Sequence, residues 1–293
     1  MNSILLVGAA HIDRYGRCDL PPIPGGSNPG RFVNMPGGAA FNVASSLRAL
    51  GANVCLHSIL GAGADAACIR AAAVARGVDL RARTAPDHAT ATYTSIIGPD
   101  GELVIALADM AIYGALDPAL VAGAGDGNWL LVDANLTPDT LATLLDRASD
   151  RTVAMTVSCA KAARLRPSLG RIEVLFTNRA ELAALCRQPA DTPMDTLLQQ
   201  FRALGGRGAV VTEGAANIWT VEDGEIRQHP VPPAPRPVDV TGAGDALTAG
   251  CLIALMAGRS IGEAVPSGIR AAQAVLAVHG PWRSDLAAAI AQP

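Results

Sequence analysis

Asp239-Val240-Thr241-Gly242-Ala243-Gly244-Asp245 follows a proline-rich loop and opens a long apolar run, Ala243 to Ala257, that reads as a helix. Glycines at a helix start leave backbone N–H groups bare, and with the helix dipole they make a site for an anion. Asp245 falls in the first turn of that helix, beside the same site. A carboxylate there repels a resting phosphate. A general base that takes a hydroxyl proton, while the N–H groups hold developing phosphate charge, accounts for its presence. An Asp that complements the helix dipole beside a glycine turn fits the spacing equally well. Two other nucleotide motifs are missing. No Gly-x-x-x-x-Gly-Lys-Ser/Thr run occurs. The turn after the first apolar strand, Gly8-Ala9-Ala10-His11-Ile12-Asp13, lacks the second and third glycines of a dinucleotide fingerprint.

Around that stretch the chain alternates. Ile4 to Val7, Val54 to Leu60, Trp129 to Val132, Val153 to Val157, Val174 to Phe176 and Ala209 to Thr212 read as strands. Ala39 to Leu50, Asp65 to Arg76, Thr137 to Ala148, Arg179 to Cys186, Leu197 to Leu204 and Ile261 to Val278 read as helices. The fold class expected is α/β, a three-layer α/β/α Rossmann-like core with a parallel sheet between helices. Two segments break the alternation. Residues 14–36 hold five prolines and four glycines without a helical period. Residues 88–112 carry two β-prone runs around Gly98-Pro99-Asp100-Gly101, a hairpin signal. Together they predict a small β-sheet lid on one domain spanning 1–293. A second hairpin turns at Asp223-Gly224.

Composition narrows the function classes. The chain has 293 residues, 50% hydrophobic and 17% charged, with a net charge of −3. Disorder is excluded, and there is no basic excess for nucleic acid. No transmembrane run or basic leader is present, so no membrane association is expected. The six scattered cysteines contain no Cys-x-x-Cys pair and predict a reduced, cytoplasmic protein with free thiols.

Three further signals sit at strand ends or helix starts. In Gly37-Gly38-Ala39-Ala40-Phe41-Asn42 the glycines allow close approach of a ligand, and Asn42 points back toward the helix start, where an amide binds sugar hydroxyls. Asp13 lies just past the first strand, where α/β sheets bind ligands, and it also suits a turn. Asn178-Arg179-Ala180-Glu181 opens a helix after a strand. There Asn178 reads as an N-cap with Glu181 as its capping-box partner, or as an outer-sphere magnesium and phosphate site.

In this order the four signals resemble the PfkB (ribokinase-like) family of carbohydrate and nucleoside kinases. Gly37 to Ala44 is similar to its N-terminal signature and Asp239 to Asp245 to its C-terminal one. Asn178 to Glu181 is similar to its Asn-x-x-Glu, and Thr212-Glu213-Gly214 to its Thr-x-Gly. The resemblance implies the following roles. Asp245 is the catalytic base, with the N–H groups of Gly242, Ala243 and Gly244 as anion hole. Asp13, Asn42 and the backbone near Gly38 hold sugar hydroxyls, with Asp109 and Asn135 as further substrate contacts. Asn178, Thr212, Gly214, Thr241 and Gln273 lie along ATP. Asn178 and Glu181 organise Mg²⁺ through water, and Asp239 and Thr241 are the places for K⁺. A homodimer through the lid follows from its exposed edge strands.

Three stretches, Asp100 to Met110, Val132 to Leu136 and Val157-Ser158-Cys159-Ala160-Lys161-Ala162, resemble the branch that acts on pseudouridine. The Asp-Pro of that branch is replaced by Met155-Thr156. The expected activity is transfer of the ATP γ-phosphoryl group to a ribonucleoside 5′-hydroxyl. A sugar kinase of the same family and a non-catalytic binding protein are the alternatives.

Overall fold

The computed structural model describes residues 3–121, 129–148 and 151–291. Chain order begins β1 (Ser3–Val7), β2 (His11–Cys18), β3 (Gly30–Gly37), α1 (Ala39–Ala49), β4 (Asn53–Leu60), α2 (Ala64–Ala75), β5 (Asp79–Thr84), β6 (Thr92–Ile97) and β7 (Leu103–Asp109). It continues with β8 (Trp129–Asp133), α3 (Pro138–Arg147), β9 (Thr152–Met155), α4 (Cys159–Ala162), β10 (Val174–Asn178), α5 (Arg179–Cys186) and α6 (Met194–Ala203). The last elements are β11 (Gly208–Glu213), β12 (Asn217–Glu222), β13 (Glu225–Pro230), α7 (Ala243–Met256), α8 (Ile261–Leu276) and α9 (Leu286–Ala291).

A nine-stranded sheet runs β13-β12-β11-β10-β9-β8-β1-β4-β5. It is parallel from β5 to β11. The hairpin of β12 and β13 adds antiparallel strands at one edge, so the expected parallel sheet is a mixed one. The central strands are apolar runs because both faces are covered. Successive side chains alternate between two cores. Leu5, Val7, Leu130 and Val132 join Leu141, Leu182 and Leu197 of α3, α5 and α6. Ile4, Leu6 and Leu131 join Phe41, Leu252 and Ile269 of α1, α7 and α8. Strand order reverses beside β1, between β4 and β8, and the strand ends there form the ligand crevice of such sheets.

The two segments that broke the alternation form a separate four-stranded sheet, β3-β2-β6-β7. It begins at His11 rather than at residue 14, so Asp13 is the third residue of β2 and not a loop residue. Other boundaries also move. β9 stops at Met155, because Val157 has φ of 59°, a left-handed conformation incompatible with a strand. β5 and α9 were not expected: β5 has four charged or polar residues in six, and α9 is too short to show a period.

A buried carboxylate ties the core together at the crevice. Asp133, at the end of β8, is fully buried. Its Oδ2 accepts from the Ala9 N–H at 2.7 Å and the Ala40 N–H at 3.3 Å, and its Oδ1 from the Asn135 N–H at 2.9 Å. It therefore fixes the exits of β1 and β8 against the start of α1. Gly38 caps α1 at φ of 107°, and a Cβ there would meet the Ala9 carbonyl oxygen at 2.4 Å, so only glycine serves.

Candidate active site

A cavity of about 630 Å³ opens where the strand ends of the large sheet meet the smaller sheet. That volume suits a small molecule. The strand ends of β8 to β11, the smaller sheet and the neighbouring helices contribute to it. β2 supplies His11, Asp13 and Tyr15, which alternate along the strand and share one face. Asn135 follows β8, Val157 and Ser158 follow β9, Thr177 and Asn178 end β10, and Thr212 lies on β11. Asn42 and Asp245 enter from α1 and α7.

Asp245 sits in the first turn of α7 as the spacing implied. The turn before it works because Gly242 takes φ of 76°, and a Cβ there would lie 2.5 Å from Pro281. The N–H groups of the first helical turn have no acceptor within the helix. Ala243 N–H makes a long 3.4 Å contact with the Val240 carbonyl. The Asn42 side-chain amide donates to Asp245 Oδ2 at 2.9 Å. Burial pushes the Asp245 pKa up to about 7. The Asn42 amide opposes that rise, and the negative charges of Asp133, Asp13 and Glu181 add to it.

Asp13 is buried and pairs with His11, Nε2 to Oδ1 at 3.0 Å. Beside it, burial and the Asp13 charge push the Tyr15 hydroxyl up to about 12, with Thr241 opposing the rise. Lys161 on α4 reaches Asn135 Oδ1 at 2.5 Å. Burial lowers its pKa, and the nearby Asp133 charge opposes this.

On the opposite wall, Asn178 caps α5 by accepting the Glu181 N–H at 2.9 Å. The reciprocal half of the expected capping box is not made. The Glu181 carboxylate instead accepts the Thr156 hydroxyl. Asn178 and Thr212 are register partners on β10 and β11. An ion pair of Arg179 with Glu213 braces the two strand ends.

Several expected residues stand elsewhere. Thr241, Gly244 and Asp245 line the cavity, while Gly242 and Ala243, both half-buried, do not. Gly214 and Gln273 do not line it either. Gln273 donates to the Pro232 carbonyl at 3.2 Å and borders a separate hollow with Arg270 and Arg283. Asp109 is exposed, and its Oδ1 accepts the Ala111 N–H at 3.4 Å, although its neighbours Ala108 and Met110 reach the cavity. Asp239 is turned into its own loop, each oxygen taking a backbone N–H, from Thr241 at 2.9 Å and Gly280 at 3.0 Å. Those bonds outweigh burial and hold its pKa below the usual carboxylate range. Sequence reading missed His11, Tyr15, Tyr93, Thr156 and Asp133. The period-two alternation with Asp13 was the available signal for His11 and Tyr15.

The raised pKa of Asp245 has a stability consequence with a definite sign. Below about pH 4 the group is protonated in both folded and unfolded chains. Between there and about 7 only the folded state keeps the proton, so this group's contribution to stability falls as pH rises. Above about 7 the penalty is constant. Asp245→Asn removes it, so the variant should melt roughly 5 °C above the parent at pH 8, with the gap closing toward pH 4. Thermal melts across that range check this. A variant that is less stable than the parent at pH 8 contradicts the burial of a charged Asp245.

Comparison with known proteins gives the site a context. The model of the pfkB family of carbohydrate kinases matches residues 1–287. A pseudouridine kinase of Escherichia coli (strain K12) is 27% identical over 270 residues, covering 89% of this chain and 86% of that protein. A solved carbohydrate kinase from Agrobacterium tumefaciens superposes with a TM-score of 0.84 at 35% identity, covering 99% of this chain and 97% of the other. The Arabidopsis thaliana ribokinase complexed with ribose and ATP superposes with a TM-score of 0.86 at 21% identity, covering all of both chains. The fold is thus ribokinase-like, and the chain belongs to the PfkB family as a kinase of a sugar or nucleoside alcohol.

Proposed function

We propose that this protein transfers the γ-phosphoryl group of ATP to the 5′-hydroxyl of pseudouridine, releasing pseudouridine 5′-phosphate and ADP. The observation that carries the proposal is Asp245, a carboxylate placed at the glycine-rich start of α7, lining the cavity and held by the Asn42 amide, where burial pushes its pKa up to about 7. A base of that pKa is matched to proton removal at neutral pH. In the reaction Asp245 accepts the hydroxyl proton, the freed oxygen bonds to the γ-phosphorus, and the bond to the β–γ bridging oxygen breaks. The N–H groups of Gly242, Ala243 and Gly244 take up the charge that develops. Pure binding needs no carboxylate facing that turn.

Asp13, Asn42 and the Gly38 backbone hold ribose hydroxyls in this proposal, and Asn178, Thr212, Gly214 and Thr241 follow the ATP phosphates. Support for a pyrimidine-like base comes from Lys161 and Asn135, which bring ammonium and amide donors to the cavity wall. The pseudouridine ring offers carbonyl oxygens to such donors. The likeness to the Escherichia coli pseudouridine kinase adds to this.

Glu181 suits Mg²⁺. It faces the cavity, and among the described residues no Lys or Arg pairs with it. Mg²⁺ typically takes one or two carboxylates, waters and substrate phosphates rather than a protein cage. When bound it neutralises phosphate charge, and Glu181 and Asn178 would hold its waters. K⁺ beside the cavity would share the Asp239 carboxylate with the Thr241 and Gly280 N–H groups it already accepts, with Thr241 alongside, and exchanging Na⁺ for K⁺ in the assay reads that dependence.

The smaller sheet serves as the lid of one kinase domain over 1–293, in the cytoplasm. All seven residues of β7 are exposed, with Leu103, Val104, Ile105 and Leu107 among them, on a sheet edge. A free apolar edge invites pairing, and we assign its partner as a second copy of this chain. Sedimentation should give a dimer that Ile105→Lys shifts to monomer. A monomeric parent contradicts the assignment.

The functional test is a phosphorylation assay with ATP and Mg²⁺ that compares pseudouridine, uridine, cytidine, adenosine, ribose and fructose. Pseudouridine should turn over fastest, and Asp245→Asn should lose roughly 10²–10⁴-fold in kcat. Turnover of a free sugar alone overturns the nucleoside assignment, and undiminished turnover by Asp245→Asn overturns the base. By calorimetry, Asp13→Ala should weaken nucleoside binding and leave ATP binding unchanged; the reverse pattern removes Asp13 from the acceptor site.

A further inference from the structure

Glu181 makes an unexpected choice of partner. Position three of a helix with an Asn cap is where a glutamate normally returns to the cap's own backbone N–H and completes a capping box. Asn178 makes its half of that arrangement, taking the Glu181 N–H at 2.9 Å. The Glu181 side chain does not make the other half. It leaves its helix and crosses to the end of the neighbouring strand, where the Thr156 hydroxyl donates to its Oε2. A solvated carboxylate on a helix cap would gain nothing from that crossing.

Thr156 is built for this contact. It is fully buried, just past the end of β9, and its N–H continues the ladder to the Phe176 carbonyl on β10 at 3.3 Å. Its backbone is fixed on the other side too. The Thr156 carbonyl accepts the Ser158 N–H at 2.8 Å across Val157, whose φ of 59° marks a strained three-residue turn. Its hydroxyl also lies 2.9 Å from the Thr177 hydroxyl. One hydroxyl has one proton to give. The carboxylate is the stronger acceptor, so that proton goes to Glu181, while the Thr177 hydroxyl donates to the Asn178 carbonyl at 3.3 Å. Thr156 itself does not line the cavity, whereas Glu181 does. One carboxylate oxygen is thereby held, and the group is kept at the cavity wall among Asn178, Thr177 and Asp245.

We infer that Thr156 is a positioning residue for the divalent cation: its hydroxyl withholds Glu181 from a capping box and fixes the carboxylate where the waters of a metal-bound phosphate need an acceptor. This rests on the assignment of Glu181 above. Outer ligands of this kind set metal affinity by fixing the orientation of the group that contacts the metal's shell. Without the hydroxyl, the carboxylate is free to fold back onto the Asn178 N–H, which stabilises α5 while emptying the metal side.

The test is ATP binding by calorimetry, with Mg²⁺ and with EDTA, in the parent, Thr156→Val, Thr156→Ala, Thr156→Ser, Glu181→Gln and the double variant Thr156→Val/Glu181→Gln. Val and Ala both remove the hydroxyl, so one of them suffices if the other folds poorly. The Mg²⁺-dependent gain in ATP affinity should fall about tenfold in the variants lacking the hydroxyl and stay within about threefold of the parent in Thr156→Ser. Affinity in EDTA should not change, and Thr156→Val should cost nothing more once Glu181→Gln is present. Parent-like Mg²⁺ dependence in Thr156→Val and Thr156→Ala overturns the inference while leaving Glu181 in place. So do losses that simply add in the double variant. If Glu181→Gln keeps full Mg²⁺ dependence, the metal assignment fails and the inference with it. A parent that binds no ATP overturns the kinase proposal as a whole.

Discussion

A half-buried carboxylate facing the cavity at the start of a helix is the constraint on which the rest of the site depends. Asp245 lies where the helix dipole and bare N–H groups favour a negative group, yet burial and its acidic neighbours raise its pKa to about 7. The opposing effects leave it near the midpoint of its titration at neutral pH. Holding it there takes several parts of the fold. Gly242 must adopt a left-handed turn against Pro281. Asn42, two hundred residues earlier in the chain, must arrive on α1 with its amide directed at Asp245. Asp133 must fix the start of α1 so that Asn42 is placed.

The same crevice gathers four carboxylates, Asp13, Asp133, Asp245 and Glu181, each satisfied differently. Asp133 is consumed by backbone N–H groups and is structural. Asp13 is paired with His11, and Glu181 with Thr156. Among the described residues Asp245 is left with one side-chain partner, the Asn42 amide. In the proposed reaction that gradation divides the labour: paired carboxylates hold hydroxyls or a metal's waters, and the least compensated one takes the proton. Lys161 is held in a partly buried place and opposes the negative field from the β8 side.

The parts of this arrangement that were legible in the sequence were local. A glycine turn before an apolar helix, Gly242 to Asp245, needs no tertiary context to be read, and neither does an Asn cap before α5. The central strands were visible because burial on both faces makes them continuously apolar. What escaped was set by contacts far apart in the chain. Asp133 looks like any strand-end Asp until Ala9 and Ala40 are brought to it. Thr156 is unremarkable without Glu181 across the strand boundary, and the sequence suggested a capping role for Glu181 that the fold does not make. Val157 reads as strand by composition, and only its backbone shows the turn that ends β9. Gln273 follows the apolar pattern of α8, and its side chain turns to the Pro232 carbonyl instead of the cavity.

The most direct measurement is the pH dependence of kcat/KM for the phosphate acceptor between pH 5 and 9. A base with the folded-state pKa of Asp245 requires kcat/KM to fall about tenfold per unit as pH drops below about 7, and to level off above it. That acid limb should disappear from the residual activity of the variant in which Asp245 is Asn. A parent profile that stays flat from pH 5 to 8, with the chemical step limiting, would show that no group of this pKa takes the proton.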